Sequence, residues 1–181
     1  MEITDSERGA EETEPKALLI VGYGNLSRRD DGVAFHILQR LRARLGLPAL
    51  EPDAEDELWG KPLGMGFTHQ LVPEIAEAMA QYDVVVFVDA HVAGGYAEPL
   101  HWEELSPGYR PGIVSHHLHP ASVLALCRTL YGGAPRGYVL SVLGHDFDFG
   151  EELSPETAAL AEQAVDLLMD FLQQEGFLAA S

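Results

Sequence analysis

Short apolar runs alternate with amphipathic segments along most of this chain of 181 residues. The run KALLIV, at 16–21, is continuous and ends at a glycine, which is typical of a buried strand. The loop GYGNLSRRDD follows, and apolar residues then recur at helical spacing from Val33 to Leu45, where Gly46 ends the pattern. A strand, a glycine-rich loop and a helix in this order are how an α/β fold begins.

The remaining apolar pattern predicts four more strands and three more helices. The clearest strand is VVVFV, at 84–88, which runs directly into Asp89. The last helix is predicted to begin after Ser154 and to reach about residue 175, because a serine cap followed by proline is a common helix start. Further strands are predicted at 65–68, 101–105 and 138–143, and further helices at 73–81 and 120–131. These elements predict a three-layer α/β/α sandwich with a mostly parallel sheet of five strands.

The composition indicates one globular domain. The hydrophobic fraction is 46% and the charged fraction 22%, which excludes a fibrous protein and makes the bulk of the chain unlike a disordered one. Residues 1–15 carry six acids and few apolar groups, so we expect a disordered acidic leader. We therefore predict a single domain at 16–176 and a short tail at 177–181.

The charge balance restricts the partners. The chain has 29 Asp and Glu residues against 11 Lys and Arg residues, a net charge of −18. This field disfavours nucleic acids and anionic membranes, and it favours a cation or a partner with a basic segment. The one cysteine, Cys127, cannot form an internal disulfide, and the acidic N-terminus is unlike a signal peptide. We expect a cytoplasmic protein.

Polar residues that could carry chemistry lie at three places: in the loop after the first strand, directly after VVVFV, and just before the helix at 120–131. Because ligands in α/β sheets bind beyond the carboxyl ends of the strands, these residues are expected to meet at one edge. Each also has a structural alternative: either aspartate of the pair could cap a helix, the acid after VVVFV could belong to a turn, and the histidines could be solvated. The candidates are Asp30, Asp31, Asp89, His116, His117 and His119.

Asp31, Asp89 and one histidine of this cluster make a metal site the leading hypothesis. Imidazole suits nickel, zinc and copper, and three protein ligands leave positions open for water or substrate. A dinucleotide site is disfavoured, because Ser27 stands where the third glycine of the fingerprint is expected and the acidic pair would repel a pyrophosphate. We interpret His69, His91 and His145 as incidental.

Three segments resemble the maturation endopeptidases of nickel–iron hydrogenases: LLIVGYGNLSRRDDGV, VVVFVDA and SHHLHPASVLAL. The segments HQLVPEIAEAM and GHDFDFGEELSPETAALAEQAVDLLMDFL are also similar to parts of that family, so the resemblance extends from about Lys16 to Gln174. It implies the five-stranded sheet with one strand antiparallel. It also implies an activity, removal of a C-terminal extension from the hydrogenase large subunit after nickel insertion.

The resemblance further implies the ligands. The metal-contacting residues of the family fall on Asp31, Asp89 and His117, with His116 as the alternative histidine. Nickel is expected to arrive with the large-subunit precursor, and this chain is expected to act as a monomer. Asp30 is left either as a general base or as a helix cap, with capping preferred. The competing hypothesis is a non-catalytic chaperone or scaffold that binds the nickel-loaded subunit.

Overall fold

The structure is a computed structural model that describes residues 16–52, 60–108 and 118–179. A 3₁₀ turn at Arg29–Gly32 lies directly before the first helix. Within these ranges the chain forms, in order, β1 (Leu18–Tyr23), α1 (Val33–Arg44), β2 (Leu63–Thr68), α2 (Ile75–Met79), β3 (Val84–His91), β4 (Leu100–Leu105), α3 (Pro120–Tyr131), β5 (Arg136–Leu143) and α4 (Pro155–Gln174).

The five strands form one sheet in the order β2-β1-β3-β5-β4. All neighbouring strands are parallel except β4, which runs antiparallel to β5. Alternate side chains of the sheet face opposite layers, with α1 and α4 packed on one face and α2 and α3 on the other. The predicted three-layer sandwich with one antiparallel strand is confirmed.

The strand order creates a crevice at one end of the sheet. The chain leaves β1 through α1 to β2 on one side, whereas β3 lies against the other side of β1. Such a reversal of direction opens a crevice beyond the carboxyl ends of the two central strands. Tyr23 ends β1 at this position, and Asp89 lies near the end of β3.

The prediction that β3 ends before Asp89 is wrong. The strand continues to His91, because β5 pairs with it through Leu143 and keeps its backbone extended. Asp89 is therefore an internal strand residue opposite Ser141, not a turn acid. Its backbone position is fixed by the sheet itself.

Gly24 allows the loop after β1 to fold closely onto the 3₁₀ turn. Its φ of +149° lies where residues with a side chain are strained, and an added Cβ would lie 2.0 Å from the backbone oxygen of Asp31. This glycine therefore brings Asp31 directly beside the end of β1.

Asp30 connects this loop to a distant part of the chain. Its side chain is fully buried, and its carboxylate accepts the backbone N–H groups of His145, Asp146 and Ser154 at 2.7, 2.9 and 2.8 Å. The hydroxyls of Ser154 and Thr157 lie 2.7 and 2.8 Å from the same carboxylate. The β1–α1 loop is thereby held against the start of α4.

The prediction that Asp30 caps its own helix is therefore wrong. Gly32 occupies the cap position of α1 and makes no side-chain cap. Ser154 is the cap of α4, as predicted, and the carboxylate of Asp30 accepts a hydrogen bond from the hydroxyl of Ser154. Because its oxygens are surrounded by donors and shielded from solvent, Asp30 is also poorly placed to act as a general base.

The pKa of Asp30 follows from these contacts. Burial alone would raise it, but the hydrogen bonds from Ser154, His145 and Asp146 outweigh burial and lower it from 3.8 to about 2. The ionised carboxylate is therefore the form that stabilises the fold.

After α4, Phe177 and Leu178 pack against the core, although the sequence assigns them to a tail.

We predict that Asp30→Asn lowers the free energy of unfolding at pH 7 by about 3 kcal/mol, because an amide leaves buried donors unsatisfied. Since the pKa is lower in the folded chain, the ionised group stabilises it above about pH 4, and this contribution is lost as the pH falls toward 2. Urea unfolding of parent and variant at pH 7 and at pH 2.5 measures both effects, and the difference should shrink at the lower pH.

The control is Asp170→Asn on the exposed surface of α4, which should change the unfolding free energy by less than about 0.5 kcal/mol. An Asp30 variant as stable as this control at pH 7 would contradict the role assigned to the buried carboxylate.

Candidate functional site

A cavity of about 410 Å³ opens at the crevice between β1 and β3. Asp31 and Asp89, which are 58 positions apart in the sequence, both line it, as the sequence predicts. Other residues of its wall are Tyr23, Arg28, His69 and His119. The fold thus brings two carboxylates, histidines and a tyrosine hydroxyl to one concave surface.

The carboxylate of Asp31 is held by the glycine-rich loop. Its Oδ2 atom accepts the backbone N–H of Asn25 at 2.9 Å. The side chain is partly exposed, and its backbone N–H donates to the carbonyl of Arg28 at 3.0 Å within the 3₁₀ turn. Asp31 therefore presents a fixed carboxylate at the cavity wall.

The two oxygens of the Asp89 carboxylate differ in their hydrogen bonding. Its Oδ2 atom accepts the hydroxyl of Tyr23 at 2.5 Å, but its buried Oδ1 atom has no hydrogen-bond partner among the described residues. Burial raises the pKa of Asp89 to about 6, despite the hydroxyls of Ser141 and Tyr23, which act in the opposite direction. A buried carboxylate oxygen without a partner is costly, and such groups are concentrated at functional sites.

Tyr23 remains a hydrogen-bond donor at neutral pH. Burial, together with the neighbouring Asp89 carboxylate, raises the pKa of its hydroxyl well above the ordinary value of 10. The proton of this pair therefore stays on the tyrosine oxygen, which is the arrangement that stabilises an ionised Asp89.

The histidine ligand predicted from the sequence, His117, lies outside the described residues, as does its alternative His116. The two residues that follow them, Leu118 and His119, line the cavity. His119 also caps α3, because its Nδ1 atom accepts the backbone N–H of Ala121 at 3.1 Å. The described chain therefore reaches the cavity directly after the predicted ligand.

His69 is a cavity residue that the sequence interpretation treats as incidental. It follows β2 directly and is exposed at the cavity wall. The position of His69 in the sequence could have indicated it as a cavity residue. Because β2 is parallel to β1, residues after both strands emerge at the same edge of the sheet.

His91 and His145, which the sequence interpretation also treats as incidental, form hydrogen bonds elsewhere. His91 shares a hydrogen bond of 2.9 Å between its Nδ1 atom and the hydroxyl of Ser141. His145 donates its backbone N–H to Asp30 and shares a ring hydrogen bond of 2.8 Å with Thr157. Neither residue lines the cavity between β1 and β3 in the part of the chain that the structure describes.

The cavity wall carries types of donor atom that divalent cations bind. Two carboxylates and an imidazole are ligands of nickel and zinc, and the unpartnered Oδ1 of Asp89 is an oxygen in need of a positive neighbour. Across 16–52, 60–108 and 118–179, however, no three His, Cys, Asp or Glu side chains form a group that could hold a metal ion.

Several solved structures that share this fold are named as hydrogenase maturation proteases or endopeptidases. The chain superposes on the hydrogenase maturating endopeptidase HybD from E. coli with a TM-score of 0.68 and 20% identity, over 88% of this chain and 94% of that one. The maturation protease HycI from Thermococcus kodakarensis KOD1 gives a TM-score of 0.62 and 22% identity, over 87% and 93%. The hydrogenase 2 maturation peptidase from a Thaumarchaeota archaeon gives 0.55 and 19%, over 87% and 99%.

These likenesses establish a shared fold over most of the chain. Their identities are below 25%, and neither a family model nor a curated protein matches the sequence. In the described ranges, no helix is both long enough and apolar enough to cross a membrane.

We predict that Asp89→Asn stabilises the free chain at pH 7.5 by about 1–2 kcal/mol, because the amide removes a buried charge. The pKa of Asp89 is higher in the folded chain than the ordinary 3.8, so parent stability falls as the pH rises from about 4 to 6. Urea unfolding at pH 4 and at pH 7.5 measures this: the gain should be present at pH 7.5 and small at pH 4. An equal loss of stability at both values would contradict the prediction.

Proposed function

We propose that this chain is an endopeptidase that removes the C-terminal extension of the nickel-loaded large subunit of a nickel–iron hydrogenase. The observation that supports this proposal most strongly is the pair of carboxylates, Asp31 and Asp89, in the crevice between β1 and β3. The pair lies in a fold shared with solved hydrogenase maturation proteases. The unpartnered oxygen of Asp89 adds chemical support, because it is the kind of atom that a bound cation stabilises.

In this proposal nickel belongs to the substrate. Cysteine thiolates of the immature subunit hold the ion, and Asp31, Asp89 and His117 complete its coordination. Cleavage is then limited to precursor that has already received its metal, since unloaded precursor offers nothing for the carboxylates to bind.

The chemistry is addition of water to the scissile peptide carbonyl, followed by breakage of the C–N bond. Cys127 is buried within α3, and burial raises the pKa of its thiol, so it is unsuited to act as a nucleophile. The nickel ion of the substrate can polarise the carbonyl or the attacking water. The roles of Asp31 and Asp89 are to hold that ion against the peptide bond and to balance its charge.

The charge of the chain supports the choice of substrate class. A net charge of −18 attracts a metal-loaded or basic surface and repels nucleic acid. We further propose that the chain acts as a monomer in the cytoplasm, where its one buried cysteine stays reduced.

We predict cleavage of the hydrogenase large-subunit precursor from the same genome only when that precursor carries nickel. Nickel-loaded and nickel-free precursor are incubated with the full chain, and the products are weighed by intact-mass spectrometry. Loss of a C-terminal peptide from the loaded form alone is the expected result. A stable nickel-dependent complex without any cleavage would instead favour a chaperone.

We predict that Asp31→Ala, Asp89→Ala and His117→Ala each slow this cleavage by at least about 100-fold, because each removes a group that holds the reacting centre. His116→Ala tests the alternative histidine and should retain most of the rate. Asp148→Ala, an exposed aspartate that does not line the cavity, is the control and should cleave like the parent. Normal cleavage by all three site variants would contradict the assignment of these residues to the reacting site.

A further inference from the structure

The side of α3 that faces away from the sheet carries few charges for a helix of this protein. Of its twelve residues only Arg128 is charged, although the whole chain has a charged fraction of 22% and a net charge of −18. The longer helix α4 carries four acids: Glu156, Glu162, Asp166 and Asp170. A surface helix normally places charged and polar residues opposite its core-facing stripe. The outer face of α3 lacks that charged stripe.

This outer face forms an apolar groove. On the core side of α3, Val123, Leu124 and Cys127 pack against the sheet. On the opposite side, a groove of about 270 Å³ is lined by residues at helical spacing and by the residue before His119, namely Leu118, Ser122, Ala125, Leu126 and Thr129. Leu130, one turn beyond Leu126, is 63% exposed and extends the apolar surface. The helix thus has two apolar faces, of which the core covers one.

The polar groups of the groove do not call for a polar ligand. The hydroxyl of Thr129 donates to the backbone carbonyl of Ala125 at 2.9 Å, and Ser122 is only 4% exposed. None of the described lining residues is charged. The groove is therefore suited to apolar side chains rather than to an ion or a sugar.

The groove is continuous with the cavity that holds the two carboxylates. Leu118 lines both of them. A chain molecule whose reacting bond lies near Asp31 and Asp89 can therefore continue along α3. Ser122 and Leu130 are eight positions apart, which is about 12 Å along a helix. An extended peptide covers that length with about four residues.

We propose that this groove on α3 binds the first residues of the C-terminal extension of the hydrogenase precursor, in extended conformation and through their apolar side chains. The inference rests on the proposed function, and it adds the part of the substrate that is recognised outside the carboxylate cavity. The extension is the occupant because the other side of the scissile bond carries the nickel site, which the carboxylates engage. The groove then selects the peptide to be cut by its side chains, separately from the metal.

The test uses three variants of the full chain that each introduce one glutamate, a residue that helices accommodate well. Ala125→Glu places a charge in the middle of the groove, and Thr129→Glu places one at its exposed end. Ala159→Glu is the matched control, since Ala159 is exposed on α4 and lines neither the groove nor the carboxylate cavity. Urea unfolding of each variant confirms that the fold is retained, and Thr129→Glu serves if Ala125→Glu is unstable.

Both groove variants should raise the KM for nickel-loaded precursor by about 10-fold or more, because an apolar pocket discriminates between side chains by roughly 10- to 200-fold. The loss should fall on KM rather than on kcat, since the groove holds the substrate away from the reacting bond. Ala159→Glu should match the parent. An unchanged KM in both groove variants would overturn the inference.

A change on the substrate side identifies the occupant. The masses of the cleavage products give the position of the cut, and the first four residues of the extension are then replaced by serine. With the parent chain this precursor should show a KM raised by about 10-fold. With Ala125→Glu the same replacement should have little further effect, because the contact is already lost. An equal loss with both chains would mean that the extension binds elsewhere, and the inference would fail.

Binding and cleavage separate the two proposals. Surface plasmon resonance measures the affinity of nickel-loaded precursor for each immobilised chain, independently of cleavage. If the parent binds about 10-fold more tightly than the groove variants but cuts nothing, the groove stands and the endopeptidase proposal fails. If all variants cleave with the KM of the parent, the endopeptidase proposal stands and the groove fails. A parent chain that neither binds nor cleaves the precursor would contradict both.

Discussion

The hydrogen-bonded carboxylate of Asp30 ties together the parts of the molecule on which the candidate site depends. It receives donors from the loop after β5 and from the first turn of α4, more than a hundred residues away in the sequence. The next residue in the chain is Asp31, whose carboxylate lines the cavity. Because Asp30 is buried and held on several sides, the 3₁₀ turn that carries Asp31 has little freedom to rotate. The position of Asp31 at the cavity wall is thus determined by the contacts that its neighbour Asp30 makes with α4.

The three aspartates show how the same side chain acquires different roles from its surroundings. Asp30 is surrounded by donors, and its pKa falls to about 2, so its charge stabilises the folded chain. Asp89 is half-buried with one buried oxygen unsatisfied, and its pKa rises to about 6, so its charge is a cost to the free chain. Asp31 is held by one backbone N–H and is partly open to solvent. A protein retains an arrangement like that of Asp89 where a ligand offsets the cost.

Much of this could be predicted from the sequence because it depends on local pattern. The runs of apolar residues, the glycine after β1 and the serine and proline before α4 determine elements within a few positions of themselves, and the strand-end rule places Asp31 and Asp89 together. The role of Asp30 could not be predicted, since its partners are near the other end of the chain and serine, threonine and backbone N–H groups there give no sequence signal. The pairing of Tyr23 with Asp89 depends on strand register, which an apolar run does not encode. The extension of β3 past Asp89 likewise depends on β5, which is formed much later in the chain.

The link between Asp30 and the start of α4 also determines when the turn that carries Asp31 can form during synthesis of the protein. Residues 24–31 leave the ribosome early, but the donors that hold Asp30 are supplied by His145, Asp146, Ser154 and Thr157. Until that last quarter of the chain has emerged, the buried carboxylate has no partners and the turn that carries Asp31 lacks its support. Before that point the nascent chain is therefore unable to hold Asp31 in its final position beside β1. The cavity is completed only after translation of the helix that closes the fold.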